Sequence, residues 1–170
     1  FRGKGLAREF FAFAQTLGAR RLRLEVEPDN EHATLPVPAK PDDNEPLNMN
    51  RKKVLIVDDK EQIAKILFAY LHKDYECFYM QNPQQAIEWL LRGNMPDLII
   101  SDIRMPEMRG DEFLAYLKLN ELFKQIPVVM LSSEDSTSER IRLLEEGAED
   151  YIVKPFNPQE LKIRIKKILD

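Results

Sequence analysis

Sulfhydryl chemistry is almost absent from this sequence: Cys77 is its single cysteine. That excludes an intramolecular disulfide and fits a reducing compartment. Histidine is nearly as scarce. His32 and His72 stand far apart, and neither has the neighbouring ligands that a zinc-type site or a phosphodonor centre needs. No apolar run approaches the roughly 18 residues that a membrane span requires. The apolar stretch at 9–14 is too short for a secretory signal and has no cleavage pattern behind it. A strong positive charge is also missing. The formal net charge is −4 and the isoelectric point about 5.4, which argues against the chain gripping nucleic acid with its own surface. A soluble, cytoplasmic protein is the expectation.

What is present is ordinary globular material, 44% apolar and 32% charged over 170 residues, enough for one domain with an appendage. The chain opens on Phe1, as a processed protein or a piece of a longer reading frame would. Charge divides its first fifty residues. Residues 1–24 carry six Lys/Arg against one Glu, and residues 25–50 carry one Lys against seven Asp/Glu. Pro36, Pro38, Pro41 and Pro46 fall within 34–50, which has few large apolar residues and reads as an extended acidic linker. Three segments are expected: an appendage at 1–33, the linker at 34–50, and a patterned domain at 51–170.

In that domain short apolar runs alternate with helical periodicity. Strands are expected at 54–57, 77–80, 98–101, 128–131 and 151–153. Between the first two, Ile63, Ile66, Leu67, Tyr70 and Leu71 are spaced as one helix face, and similar patterns follow each later strand. "NPQQ" at 82–85 and "NPQE" at 157–160 each supply an Asn cap, a Pro for the first turn and a Gln or Glu three residues after the cap. Apolar strands alternating with helices imply a parallel sheet buried on both faces, a doubly wound (βα)5 sandwich of the α/β class.

In such a sheet the functional crevice lies beyond the carboxyl ends of the strands. Asp58 and Asp59 end the first strand, Asp102 the third, Ser132 and Ser133 the fourth, and Lys154 and Pro155 the fifth. Clustered carboxylates repel unless a cation offsets them. Oxygen donors without His or Cys select Mg²⁺. A lysine beside the cluster and a serine within reach suit phosphoryl transfer to a carboxylate, with one aspartate as nucleophile. Each residue also has a plainer reading. Asp58 and Asp59 are good helix caps, Asp102 is a common turn residue, Lys154 is a solvated charge and Tyr151 is core packing.

"VLIVDD", "LIISDIRMPEMRGDEF", "IPVVMLSSE" and "GAEDYIVKPF" together resemble the motifs of bacterial two-component response-regulator receiver domains, in order, over about 52–170. The resemblance implies a flavodoxin-like receiver fold and a signalling switch whose only chemistry is its own phosphorylation and dephosphorylation. It implies Asp102 as the acceptor of a phosphoryl group from a histidine kinase's phosphohistidine or a phosphotransfer protein. Asp58, Asp59 and Asp102, with the backbone carbonyl of Arg104, are implied as Mg²⁺ ligands. Lys154 is implied to pair with the phosphoryl group, and Ser132 and Tyr151 to form the switch. The switched face, built from the fourth helix, fifth strand and fifth helix, is implied to bind partners or a second copy. Glu134 matches a position that influences water access in that family. Arg109 departs from the usual Asp of "MPxMDG", and Arg104 from a small polar residue.

"RGKGLA" and "ARRLRLEVEPDN" resemble part of the acetyl-CoA motif of GNAT-type N-acetyltransferases, over residues 1–33. A Gly-containing turn at a helix start can cradle pyrophosphate. One helix and one strand, however, cannot complete that fold, so a helix–strand remnant is the expectation. Three further readings compete with the receiver: a fragment of an acetyl-CoA-dependent N-acetyltransferase fused to it, a receiver-like binding module that is not phosphorylated, and a flavin or nucleotide binder. The flavin or nucleotide binder requires a Gly/Ser/Thr-rich loop after the first strand, where this chain has "DDKEQ".

Overall fold

The computed structural model describes residues 50–170. The helix–strand segment expected at 1–33 and residues 34–49 of the expected linker lie outside them. The described chain alternates without exception: β1 (Lys53–Val57), α1 (Glu61–Leu71), β2 (Glu76–Met80), α2 (Pro83–Leu91), β3 (Leu98–Asp102), α3 (Gly110–Leu119), β4 (Val128–Ser132), α4 (Thr137–Glu145), β5 (Asp150–Val153) and α5 (Pro158–Leu169). Every pairing is parallel and the strand order is β2-β1-β3-β4-β5. The five expected strands are all present, each a residue longer at one end.

β3 and β4 are buried along their whole length, as continuous Val/Ile/Leu runs require in a sheet covered on both faces. Alternation sorts their side chains into two cores. Leu55, Val57, Ile99, Val128, Met130 and Tyr151 pack on one side, with Ile87 and Leu90 of α2, Phe113 and Leu117 of α3, and Leu143 of α4. Val54, Ile56, Leu98, Ile100, Val129, Leu131 and Ile152 pack on the other, with Leu67 and Leu71 of α1 and Leu161 and Ile165 of α5. Each such fully buried side chain contributes about 1.5–3 kcal/mol.

The two signed helix starts form as their sequence directs. Asn82 Oδ1 accepts the Gln85 N–H at 2.8 Å, and Asn157 Oδ1 accepts those of Gln159 and Glu160 at 2.9 and 3.2 Å. Pro83 and Pro158 follow directly, where a missing N–H loses no helical bond. Among the described residues no helix is long and apolar enough to cross a membrane.

Candidate functional site

From β1 the chain moves outward to β2, then crosses back to β3, β4 and β5. Strand order therefore reverses between β1 and β3, and a crevice opens beyond their carboxyl ends. Val57 pairs with Ser101, which makes Asp58 and Asp102 the next rung. Asp102 pairs with Leu131, and Ser132 with Val153, so Ser132 and Lys154 complete the same edge. Alternation then divides the group. Asp58, Asp102 and Lys154 continue the series of Ile56, Ile100 and Ile152, on the side of α1 and α5. Ser132 continues that of Met130, on the side of α4.

Lys154 Nζ donates to Asp102 Oδ1 at 2.9 Å and to Asp58 Oδ2 at 3.2 Å. Asp58 is completely buried and Asp102 is 4% exposed, whereas Asp59 lies at the surface. One carboxylate oxygen from each of Asp58, Asp59 and Asp102 falls within 4.8 Å of the others. Asp58 is fixed from both directions. Its Oδ1 accepts the Lys60 N–H at 2.8 Å, while its carbonyl accepts the Tyr79 hydroxyl at 2.8 Å. Asp58 thus also serves the start of α1, whose cap residue Lys60 makes no side-chain capping bond.

Burial pushes the Asp58 carboxyl up to about 6, against the Lys60 N–H and the Lys154 ammonium, which both act to lower it. Burial pulls Lys154 down, but the carboxylates of Asp102 and Asp58 outweigh that and hold it above its ordinary value, firmly charged. Three ionised carboxylates and one ammonium leave two negative charges uncompensated at one edge. The donors are all hard oxygens, so a small divalent cation such as Mg²⁺ fits this set.

On the α4 side, Ser132 Oγ accepts the Glu134 N–H at 3.0 Å and donates to Glu139 Oε1 at 3.1 Å. Tyr151 is buried, with its hydroxyl 2.8 Å from the Glu134 carbonyl and 3.0 Å from the same Glu139 Oε1. Both its ring and its hydroxyl are therefore turned into the protein. Above the crevice the Arg104 guanidinium forms an ion pair with the Glu134 carboxylate, bridging the loop after β3 to the loop after β4.

Gly110, at the start of α3, lies so close to the site that a Cβ built on it would fall 1.9 Å from the Asp102 carbonyl oxygen. Its N–H donates to the Ile103 carbonyl at 2.8 Å, folding the intervening loop over the end of β3. Arg109 sits at the cap of α3 and pairs with Asp111 at 3.1 Å. The Lys154–Pro155 peptide is cis. His72 stacks on Phe68 with 5.1 Å between ring centres and takes no part in the site. Cys77 is half-buried, and burial pushes its thiol up to about 12, which leaves it inert.

Asp58, Asp59, Asp102 and Lys154 therefore converge as their places in the sequence suggest, while Ser132 and Tyr151 meet each other through a residue that sequence reading passed over. Glu139 carried a usable signal, because Ser136–Thr137–Ser138–Glu139 has the S-x-x-E form of a helix start. Gly110 and Tyr79 were passed over as well. Gly110 closes the "MPxMDG"-like stretch and so had a local mark, whereas the reach of Tyr79 to Asp58 depends on close approach across the fold.

A parallel five-stranded sheet of this order, with an acidic cluster and a lysine at its reversal point, is the frame of a signalling receiver. The sequence profile of the response regulator receiver domain matches residues 54–166, and the chain belongs to that family. It is 40% identical over 119 residues to the phosphate regulon transcriptional regulatory protein PhoB of Pseudomonas aeruginosa, covering 69% of this chain and 52% of that protein. It is also 40% identical over 120 residues to histidine kinase P4 of Formosa agariphila, covering 71% of this chain and 9% of that one. The chain thus spans about half the length of the first relative and a small part of the second. Among solved structures, the chemotaxis response regulator CheY4 of Vibrio cholerae superposes with a TM-score of 0.65 at 31% identity, covering 71% of this chain and 100% of that one.

Proposed function

We propose that this chain is a phosphoacceptor switch in which Asp102 takes a phosphoryl group from the phosphohistidine of a histidine kinase or phosphotransfer protein. One observation carries the reading: Lys154 Nζ bridges Asp102 Oδ1 and Asp58 Oδ2 at the reversal point of the sheet. That contact orients Asp102 with one oxygen held and the other, Oδ2, offered to an incoming phosphorus. As the new O–P bond forms, the P–N bond of the donor breaks and its electron pair leaves with the imidazole. Lys154 supplies a fixed ammonium against the developing charge on the phosphoryl oxygens.

Asp58, Asp59 and Asp102, with the Arg104 carbonyl, would hold Mg²⁺. When bound, that ion neutralises phosphoryl charge which this acidic edge would otherwise repel. Ser132 offers its hydroxyl to a phosphoryl oxygen, and Tyr151 transmits the change to the face formed by α4, β5 and α5. On that face Arg140, Asp150, Glu160 and Arg164 line a cavity of about 360 Å³. Salt bridges from Arg164 to Asp150 at 2.9 Å and to Glu160 at 2.8 Å give it a charge pattern that a partner or a second copy can exchange. The added charge of about −1.5 to −2 biases that face between two states. It does not produce turnover.

Residues 51–170 act as the receiver, in the cytoplasm and without direct nucleic-acid binding by this chain. Among the relatives the receiver segment occurs both in a transcription regulator and in a histidine kinase, which supports a module whose output lies in what it contacts.

Intact-mass measurement after incubation with acetyl phosphate tests the reading. Wild type with Mg²⁺ should gain the mass of one phosphoryl group, and Asp102→Asn should not. Chelation of Mg²⁺ should abolish the gain. An equal gain on Asp102→Asn, or none on folded wild type, would remove the proposal and favour a binding module that is not phosphorylated.

A further inference from the structure

The sequence around α4 has the form in which a Glu carboxylate reaches back to the backbone N–H of the capping Ser. Half of that device forms here: Ser136 Oγ accepts the Glu139 N–H at 3.3 Å. The other half does not. Glu139 directs Oε1 inward instead, where it accepts the Ser132 hydroxyl at 3.1 Å and shares the Tyr151 hydroxyl, at 3.0 Å, with the Glu134 carbonyl at 2.8 Å. One half-buried oxygen thus serves two hydroxyls from two adjacent strands, at the strand end beside the acidic cluster.

The direction of the Ser132 bond matters. A serine hydroxyl has one proton. While that proton is given to Glu139, on the α4 side of the sheet, it is not available to a group on Asp102. Glu139 and an incoming phosphoryl oxygen therefore compete for one donor, and both are anionic acceptors of similar strength. When Ser132 leaves, Oε1 loses its tie to β4 and keeps the one to Tyr151 of β5.

We propose that Glu139 is a positioning residue of the switch: it holds the Ser132 hydroxyl away from Asp102 until a phosphoryl group takes it, and it then keeps Tyr151 fastened to α4. This rests on the phosphoacceptor reading given above. It adds a restraint on the resting state, set by a residue that touches neither the phosphoryl group nor the metal site.

The test combines labelling by acetyl phosphate with a double-mutant cycle, because contact through Ser132 predicts coupling whereas a general charge effect does not. Glu139→Ala should be labelled roughly three- to ten-fold faster than wild type, the range expected for removing one charge-assisted hydrogen bond in partial competition. Glu139→Gln, which keeps a weaker neutral acceptor and the side-chain volume, should fall between the two. In a Ser132→Ala background the same Glu139 changes should have no effect on the rate. NMR of the Tyr151 ring in the unphosphorylated protein supplies a readout independent of labelling, and Glu139→Ala should increase its ring motion while Glu139→Gln restores it in part.

Acceleration that persists in the Ser132→Ala background would reduce Glu139 to a nearby negative charge and overturn the inference. So would a rate equal to wild type for both Glu139 variants when wild type is labelled normally. If wild type itself gains no phosphoryl group, the phosphoacceptor reading fails, and this inference fails with it.

Discussion

Gly110 and Asp102 meet backbone to backbone. A Cβ at Gly110 would lie 1.9 Å from the Asp102 carbonyl oxygen, closer than any nonbonded carbon tolerates. Because that obstacle is backbone at the end of a buried strand, Gly110→Ala must shift the loop or the strand. We expect a loss of about 1–3 kcal/mol in urea unfolding, the usual range for overpacking. Labelling of Asp102 should slow as well. An alanine variant with wild-type stability would mean that the loop has room the contact denies.

Asp58 gives the pH dependence. Its carboxyl stands at about 6 against an ordinary 3.8, so the folded state holds its proton more tightly than the unfolded one. Its contribution is therefore most favourable below pH 3.8 and is lost as pH rises through about 6. At pH 7 with metal chelated, the ionised group costs about 1–3 kcal/mol. Asp58→Asn should be more stable than wild type by about that amount at pH 7, and the gap should narrow as pH falls below about 6 and close only below about 3.8. A gap that stays constant with pH would assign the effect to packing.

Lys154 is the cation shared by two buried carboxylates. Lys154→Met leaves both without a counter-ion, so the metal-free protein should lose about 3 kcal/mol at pH 7. Removing a positive charge from beside the ligands should also tighten Mg²⁺ binding, read by calorimetric titration. Weaker Mg²⁺ binding would place the ion elsewhere.

The legibility of the fold differs from that of the site. The strands were readable because Val54 to Val57 and Val128 to Leu131 are unbroken apolar runs, and the starts of α2 and α5 because Asn–Pro pairs have a local mechanism. Asp58, Asp102 and Lys154 were placeable because any residue ending a strand of a parallel sheet reaches the same edge. Local pattern carried the reading that far. Glu139 escaped because its spacing matches a cap, and only the packing of α4 against β4 and β5 turns its carboxylate inward. The pairing of Arg104 with Glu134 joins two loops thirty positions apart in sequence, and no periodicity reports such a contact.

That exposed pair spans the mouth of the crevice. Pairs of this kind contribute little stability, about 0–1 kcal/mol. Its value would lie in hindering water at a phosphorylated Asp102. Arg104→Ala should therefore leave the unfolding free energy within about 0.5 kcal/mol of wild type and shorten the lifetime of the phosphoryl group several-fold. An unchanged lifetime would show that the two loops exclude water without it.

The most direct measurement traps the phosphoryl group where it sits. Borohydride reduces an aspartyl phosphate to homoserine, so the wild-type chain is incubated with acetyl phosphate and Mg²⁺, reduced and mapped by peptide mass spectrometry. Conversion should appear at Asp102 and at no other carboxylate, and should vanish when Mg²⁺ is chelated. Conversion at Asp58 or Asp59, or a chain left wholly unmodified while folded, would contradict the assignment of Asp102 as the phosphoacceptor.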